Sequence, residues 1–198
     1  MILVLASGSG TNFEAIAKAF PEHICGLICN NERAKVIEKA KLLNVKSVLI
    51  PHKNYPSRSL HEIKLVEQIT QFPNLKIIVL AGYMRVLTST FFLEIQNKFT
   101  IPPLIINLHP APLELYKGAH AYEFALIHKF PFWGLSVHKV IPELDSGDIL
   151  NYFSFPIFPY ESIEELKDRI RPLEHKILID TIHSVLFRSK ETYDKCSL

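Results

Sequence analysis

The sequence has few of the features that mark secreted, membrane-bound or metal-binding proteins. Its three cysteines, Cys25, Cys29 and Cys196, are an odd number and lack the paired spacing of a metal or redox site. No apolar run is long enough to span a membrane, and the chain begins in an apolar strand pattern without the basic region of a signal peptide. These absences predict buried thiols and a cytoplasmic protein.

Neither sign of charge is present in marked excess. Lys and Arg number 22 and Asp and Glu number 20, so the formal net charge is only +2. This balance gives no basis for binding nucleic acid or a membrane, and an anionic ligand would need a local site.

The hydrophobic fraction of 48% suits one domain with a buried core. We expect a single domain over residues 1–198, small-molecule substrates, and a monomer or homodimer.

Short apolar runs alternate with amphipathic stretches along the chain, and this alternation predicts the fold class. It is typical of a parallel sheet whose crossover helices lie on both faces. Two later strands predict a mixed continuation of the sheet, and Ser162 with Glu165 has the spacing of a capping box that begins a long C-terminal helix. The predicted fold is therefore α/β and Rossmann-like. The predicted strands are 2–5, 24–29, 47–50, 76–80, 104–107, 134–140 and 149–155.

A glycine-containing loop, Ser7-Gly-Ser-Gly-Thr-Asn12, separates the first predicted strand from the first predicted helix. Such a loop presents free backbone N–H groups and a positive helix end to an anion. Thr11 and Glu14 have the spacing of a capping box. Phe13 stands where a dinucleotide fingerprint requires a small residue, and the loop lacks the lysine of a P-loop. A single phosphate monoester therefore fits better than a dinucleotide, and a turn without a ligand is the alternative.

Asn107, His109 and Pro110 end another apolar strand. Side chains alternate along a strand, so Asn107 and His109 point to the same side, and Pro110 stops the strand there. Ligands bind at this edge of open α/β sheets, where an amide and an imidazolium together could stabilise an oxyanion. Asn and His at a strand end are also common turn formers, so the pattern alone does not decide between the two interpretations.

A third polar segment, 143–148, contains Asp145 and follows Ser136 and His138 in the chain. A carboxylate near a histidine favours the charged imidazolium and fixes its orientation. Spacing alone cannot pair Asp145 with His109, and Asp-Ser-Gly is equally suited to a plain turn.

Taken together, these segments resemble the folate-dependent formyltransferase superfamily, and within it the glycinamide ribonucleotide formyltransferases of purine synthesis. The resemblance runs from Met1 to about Val185. The order and spacing of the matching segments are what make it specific. They are Ser7-Gly-Ser-Gly-Thr-Asn12, Leu80-Ala-Gly-Tyr-Met-Arg85, Asn107-Leu-His-Pro110, Gly134-Leu-Ser-Val-His138, Glu143-Leu-Asp145 and Glu174-His175.

The resemblance implies an enzyme that moves a formyl group from 10-formyltetrahydrofolate to the amine of glycinamide ribonucleotide, without a metal. It implies a Rossmann-like phosphate-binding half, 1–100, and a catalytic and folate-binding half, 101–198. The implied site residues fall into four groups. They are Asn107, His109 and Asp145 for catalysis; Ser9, Gly10, Thr11, Asn12 and Glu174 for the acceptor; Arg58, Met84, Arg85, Val86, Leu87, Glu143 and Leu144 for the folate; and Ser136 and His138 as supporting residues.

The chain departs from the family pattern beside this implied site. Ala111-Pro-Leu-Glu114 replaces the usual Ser-Leu-Leu-Pro, Lys117 stands where a Pro is usual, Ser146 where a Gly is common, and Arg171 where a Gln is frequent. Two alternatives therefore stay open. One is a formyltransferase of the same superfamily that acts on an amino-sugar nucleotide, and the other is a non-catalytic Rossmann nucleotide-binding module with Glu32 as its ribose acid.

Overall fold

The computed structural model describes residues 1–187, so Cys196 lies outside the described residues. Within this range seven strands form one sheet, in the order β3-β2-β1-β4-β5-β6-β7. Strands β1 to β5 are parallel, whereas β6 is antiparallel to both β5 and β7. The predicted mixed α/β sheet is confirmed. The strands are β1 (Ile2–Ala6), β2 (Ile24–Cys29), β3 (Ser47–Leu49), β4 (Ile77–Leu80), β5 (Leu104–His109), β6 (Phe132–Lys139) and β7 (Ile149–Pro156).

Six α-helices in the described part of the chain cover both faces of the sheet, as predicted. Helices α1, α2, α5 and α6 contribute to the larger core cluster, and α3 and α4 to the smaller one. No helix between residues 1 and 187 has both the length and the apolar composition needed to cross a membrane. The helices are α1 (Thr11–Ala19), α2 (Val36–Leu42), α3 (Arg58–Ile69), α4 (Ser89–Lys98), α5 (Ala121–Ile127) and α6 (Ile163–Phe187).

The central strands are apolar on both faces because helices cover both sides of the sheet. Every residue of β1 is buried. Alternate side chains enter opposite cores: Ile2 and Val4 pack in the larger cluster, and Leu3 and Leu5 in the smaller. This double burial explains why the strands read as continuous apolar runs, and their parallel orientation places their carboxyl ends at one edge of the sheet.

Capping is as predicted at α6 but not at α1. The Ser162 hydroxyl accepts from the Glu165 N–H at 3.3 Å, and the Glu165 carboxylate accepts from the Ser162 N–H at 2.9 Å. At α1 the prediction of a Thr11–Glu14 capping box is wrong, because Gly10 occupies the N-cap and Thr11 is already helical. The Glu14 carboxylate instead pairs with Lys18 at 2.6 Å and with a lysine of α2, and hydrogen bonds from these lysines lower the pKa of Glu14 to about 2.

Candidate active site

The candidate active site is built around the carboxyl end of β5. Asn107 pairs with Leu80 of β4 on one side and with His138 of β6 on the other. The segments that leave β4 and β6 therefore border the same strand end. Pro110 follows His109, and β5 ends there as predicted.

His109 and Asp145 are brought together, although spacing in the sequence could not pair them. The Nδ1 atom of His109 lies 3.5 Å from Oδ2 of Asp145, and the His138 Nε2 atom lies 3.5 Å from the other carboxylate oxygen. His109 and Asp145 are 4% and 8% exposed. Asp145 adopts a left-handed backbone conformation, with φ of 45°. A non-glycine residue in this region is strained, and such strain is frequent where a side chain must be aimed.

Burial, rather than Asp145, sets the direction in which the His109 pKa is shifted. Desolvation lowers the pKa of His109 below its ordinary value, while Asp145 and a hydrogen bond to Tyr116 act in the opposite direction. Burial raises the pKa of Asp145, but His138, His109 and the Gly118 N–H outweigh it, so the net pKa is below the ordinary value. Asp145 thus acts on the His109 pKa in the direction expected of a carboxylate beside a histidine, but the net shift is downward.

The tautomer of His109 follows from its hydrogen-bond partners. Its Nε2 atom lies 3.1 Å from the Tyr116 carbonyl oxygen, which can only accept, so Nε2 carries a hydrogen. In the neutral ring the Nδ1 lone pair then faces Asp145. A proton arriving at Nδ1 would lie between the ring and the carboxylate, which makes the pair a site for accepting a proton.

Asn107 is oriented by the predicted supporting residue His138. The His138 Nδ1 atom lies 2.7 Å from the Lys139 carbonyl oxygen, so it donates there. With the hydrogen on Nδ1, the Nε2 atom accepts from the Asn107 amide nitrogen, 3.2 Å away. Ser136 pairs with His109 in the strand register, and its hydroxyl donates to the Ala111 carbonyl at 2.7 Å. Both supporting residues thus contact the end of β5 or the segment that follows it.

The segment between Pro112 and His120 lies against this pair. The Gly118 N–H donates to Asp145 Oδ2 at 2.8 Å. Two departures from the family pattern contact each other, since Lys117 Nζ donates to Ser146 Oγ at 2.7 Å. They therefore join the two loops that carry Tyr116 and Asp145. A cavity of about 470 Å³ opens between these loops, lined by Leu113, Glu114, Lys117, Asp145, Ser146, Gly147 and Ile149.

The amino end of α1 provides the predicted anion-binding geometry. Gly10 has φ of 74°, and a Cβ atom on it would lie 2.5 Å from Val36 Cγ2, so this position requires glycine. The Glu14 N–H makes the first hydrogen bond of the helix, to the Gly10 carbonyl. The amide groups of residues 11 to 13 therefore have no acceptor within the helix. Phe13 is fully buried beneath the loop, where a dinucleotide-binding turn would need a small side chain.

Glu174 lies beside α1 and is half-buried. The Tyr122 hydroxyl donates to Glu174 Oε1 at 2.6 Å. Burial raises the pKa of Glu174, against the effects of hydrogen bonds from Tyr122 and Asn12 and of the charge of Arg171. The Asn12 Oδ1 atom is buried and has no hydrogen-bond partner among the described residues. Two acceptors, the Glu174 carboxylate and Asn12 Oδ1, therefore lie next to a helix end that favours anions.

The predicted folate residues occupy three segments: the start of α3, the segment after β4 and the loop before β7. Leu87 is buried, whereas Met84 and Val86 in the segment after β4, and Leu144 in the loop before β7, expose large apolar side chains. Arg85 interacts electrostatically with buried His61 of α3, and Arg58 is the first residue of that helix. Arg58 is exposed. Glu143 is exposed.

Three contacts of the site were not predicted from the sequence. They are the Tyr116 carbonyl, the Gly118 N–H and the Tyr122 hydroxyl. Of the three, only Gly118 is marked in the sequence, as a glycine, and its φ of 93° lies in the region that favours glycine. The other two contacts depend on how α5 and its preceding loop pack. No three His, Cys, Asp or Glu side chains between residues 1 and 187 are grouped so as to hold a metal ion.

Comparison with known proteins gives the family of the chain. The model of the formyl transferase family matches residues 1–182. A phosphoribosylglycinamide formyltransferase of Dictyostelium discoideum is 36% identical, covering 91% of this chain and 95% of the relative. One from Bacillus subtilis is 32% identical, covering 92% and 93%. The crystal structure of phosphoribosylglycinamide formyltransferase from Bacillus halodurans is 30% identical, with a TM-score of 0.86 over 98% of this chain and 99% of that one. The chain belongs to the formyl transferase family.

Proposed function

We propose that this protein transfers a formyl group from 10-formyltetrahydrofolate to the amine of glycinamide ribonucleotide, a step of de novo purine biosynthesis. The observation that carries the proposal is the buried His109–Asp145 pair, 3.5 Å apart, at the end of β5. Membership of the family and the two relatives above, which are 36% and 32% identical, support the choice of reaction and substrates.

In the proposed reaction the amine of the acceptor attacks the formyl carbon on N10 of the folate. A carbon–nitrogen bond to the acceptor forms, the carbon–N10 bond breaks, and one proton passes from the amine to N10. The Asn107 amide has a second hydrogen that is not directed at His138, and we assign it to the oxyanion that forms on the formyl group.

His109 and Asp145 are assigned to the proton. Because burial favours the neutral ring, His109 begins with a free Nδ1 lone pair and becomes an imidazolium only when the proton arrives. The Asp145 carboxylate, 3.5 Å from Nδ1, stabilises that charge until the proton passes to the leaving nitrogen. While the ring is charged, its Nε2–H can donate to the oxyanion instead of to the Tyr116 carbonyl.

The acceptor is assigned to the region between α1 and α6. The amide groups of Thr11 and Asn12, with Ser9 and Gly10, would hold the phosphate. The Glu174 carboxylate and Asn12 Oδ1 are acceptors, so they suit the hydroxyl groups of a ribose. This combination of anion-binding amides and buried acceptors supports a phosphorylated sugar over a simple amine.

The folate is assigned to the segments that border β5 on either side. Met84, Val86 and Leu144 offer exposed apolar contacts for a flat ring, with Leu87 beneath them. Arg85 and Arg58 would take the glutamate carboxylates. We also propose that the protein is cytoplasmic, binds neither nucleic acid nor membrane, uses no metal, and is a monomer or homodimer with the phosphate bound mainly by residues 1–100.

The direct test is to incubate the purified chain with 10-formyltetrahydrofolate and glycinamide ribonucleotide and to follow release of tetrahydrofolate together with formylation of the acceptor. Transfer is expected with this pair and should be lost in His109→Ala. An amino-sugar nucleotide should not replace the acceptor. Transfer to the sugar nucleotide alone, or folate binding without any turnover, would refute the proposed function.

A further inference from the structure

Tyr122 lies outside the residues that the sequence predicted for the site, yet it contacts one of them. Its hydroxyl donates to Glu174 Oε1 at 2.6 Å, across 52 positions of the chain. Tyr122 is 6% exposed and belongs to the first turn of α5, while Glu174 lies in the middle of α6. The bond therefore joins two helices at a half-buried carboxylate.

In this contact Tyr122 is the hydrogen-bond donor and Glu174 is the acceptor. Burial and the neighbouring carboxylate both raise the pKa of Tyr122 above its ordinary value, so the phenol keeps its hydrogen and acts as a donor. A carboxylate that is desolvated needs such donors to stay ionised. The charged and polar groups that act on Glu174 are Tyr122 from α5, Asn12 from α1 and Arg171 from one turn earlier on α6.

The hydrogen bond also restricts where the carboxylate can point. Oε1 is engaged by Tyr122, which leaves the second oxygen of Glu174 for other contacts. The Asn12 amide also lowers the Glu174 pKa, and the oxygen of that amide is buried without a partner among the described residues. Two helices thus hold the carboxylate beside an unpaired acceptor, an arrangement suited to a ligand that brings hydroxyl donors.

We propose that Tyr122 is a positioning residue for acceptor recognition, which holds the Glu174 carboxylate ionised and aimed at the sugar of the acceptor. This inference rests on the proposed function, because it takes Glu174 to contact the acceptor. Tyr122 itself makes no contact with the reacting atoms. Its removal should therefore weaken acceptor binding and leave folate binding and the chemical step in place.

The test compares Tyr122→Phe with wild type and with Tyr152→Phe. Tyr152 lies in β7 and is 47% exposed, so it controls for loss of a phenolic hydroxyl away from the site. Tyr122→Phe should raise the acceptor KM roughly tenfold, the loss expected for one hydrogen bond to a charged group. The folate KM and kcat should stay close to wild type, and Tyr152→Phe should change none of the three constants.

Two further readouts distinguish positioning from a merely structural role. Removal of a donor raises the Glu174 pKa further, so the acidic limb of acceptor kcat/KM should move to higher pH in Tyr122→Phe. In a Glu174→Ala background, adding Tyr122→Phe should cause no further rise in acceptor KM. Equal losses in both KM values, an unmoved pH profile, or additive effects of the two substitutions would overturn the inference.

A binding measurement separates this inference from the proposed function. The acceptor should raise the melting temperature of wild type more than that of Tyr122→Phe, whether or not turnover occurs. Wild type that is stabilised by glycinamide ribonucleotide but does not formylate it would refute the function and leave the inference intact. An equal stabilisation of wild type and Tyr122→Phe would refute the inference alone, and no stabilisation of wild type would refute both.

Discussion

Asn107 and His138 lie directly opposite each other on β5 and β6, and the amide nitrogen of Asn107 is 3.2 Å from Nε2 of His138. The other ring nitrogen of His138 donates to the Lys139 carbonyl, which fixes the tautomer. His138 therefore selects which end of the Asn107 amide faces β6. One N–H is held, and the second is left in a defined direction for an oxyanion.

We predict that Asn107→Ala lowers kcat by roughly 10²–10³, the usual loss for one oxyanion donor. His138→Ala should lower kcat less, because it removes the orientation of that donor and not the donor itself. Steady-state kinetics at saturating substrates measures both effects. Adding His138→Ala to Asn107→Ala should cost less than the sum of the two single losses, because the two residues share one interaction, although His138 also contacts Asp145. Fully additive losses would mean that His138 acts by a separate route.

A second prediction concerns the amino end of α1. Gly10→Ala places a Cβ against Val36 and strains a left-handed position, whereas a Cβ at Gly8 meets no atom within 4 Å. Gly10→Ala should therefore raise the acceptor KM roughly tenfold or more, the scale for a hydrogen bond to a charged group, while Gly8→Ala should not. Inorganic phosphate should compete with the acceptor in wild type and Gly8→Ala and much less in Gly10→Ala. Unchanged competition in Gly10→Ala would remove the phosphate from this loop.

A third prediction divides the two substrates between Glu174 and Arg85. Glu174→Ala removes a half-buried acceptor beside α1, so it should raise the acceptor KM roughly 10- to 100-fold and the folate KM far less. Arg85→Ala should show the reverse preference, because it removes a cation assigned to the folate carboxylates. Initial rates with each substrate varied in turn give both constants. If each substitution raised both KM values equally, the residues would be acting through folding.

Much of the fold could be predicted because each strand of the parallel half is an apolar run bounded by clear turns. β1 and β4 are buried on both faces, and their continuous apolar sequences show it. Prediction was weaker where the backbone conformation, and not the type of side chain, decides the local structure. Gly10 occupies the N-cap of α1 in a left-handed conformation, so the Thr11–Glu14 spacing did not produce a capping box.

The candidate site was predictable in its residue types and not in its contacts. Asn107 and His109 could be placed together because they alternate on one strand, but the approach of Asp145 depends on a loop 36 residues later. Tyr122 gave no signal, because its partner Glu174 is 52 residues away on another helix. The net shift of the His109 pKa could not be predicted from the sequence either, because it depends on how completely packing removes the ring from water.

The pairing of Asp145 with His109 is the centre of the proposed chemistry, and an NMR pH titration of the His109 ring in wild type and Asp145→Asn tests it most directly. In wild type burial should hold the His109 pKa below its ordinary value of 6.5. Asp145 raises that pKa, so its replacement by a neutral amide should move the titration to still lower pH. A His109 pKa that is unchanged or higher in Asp145→Asn would contradict the pairing and the role in proton transfer assigned to it.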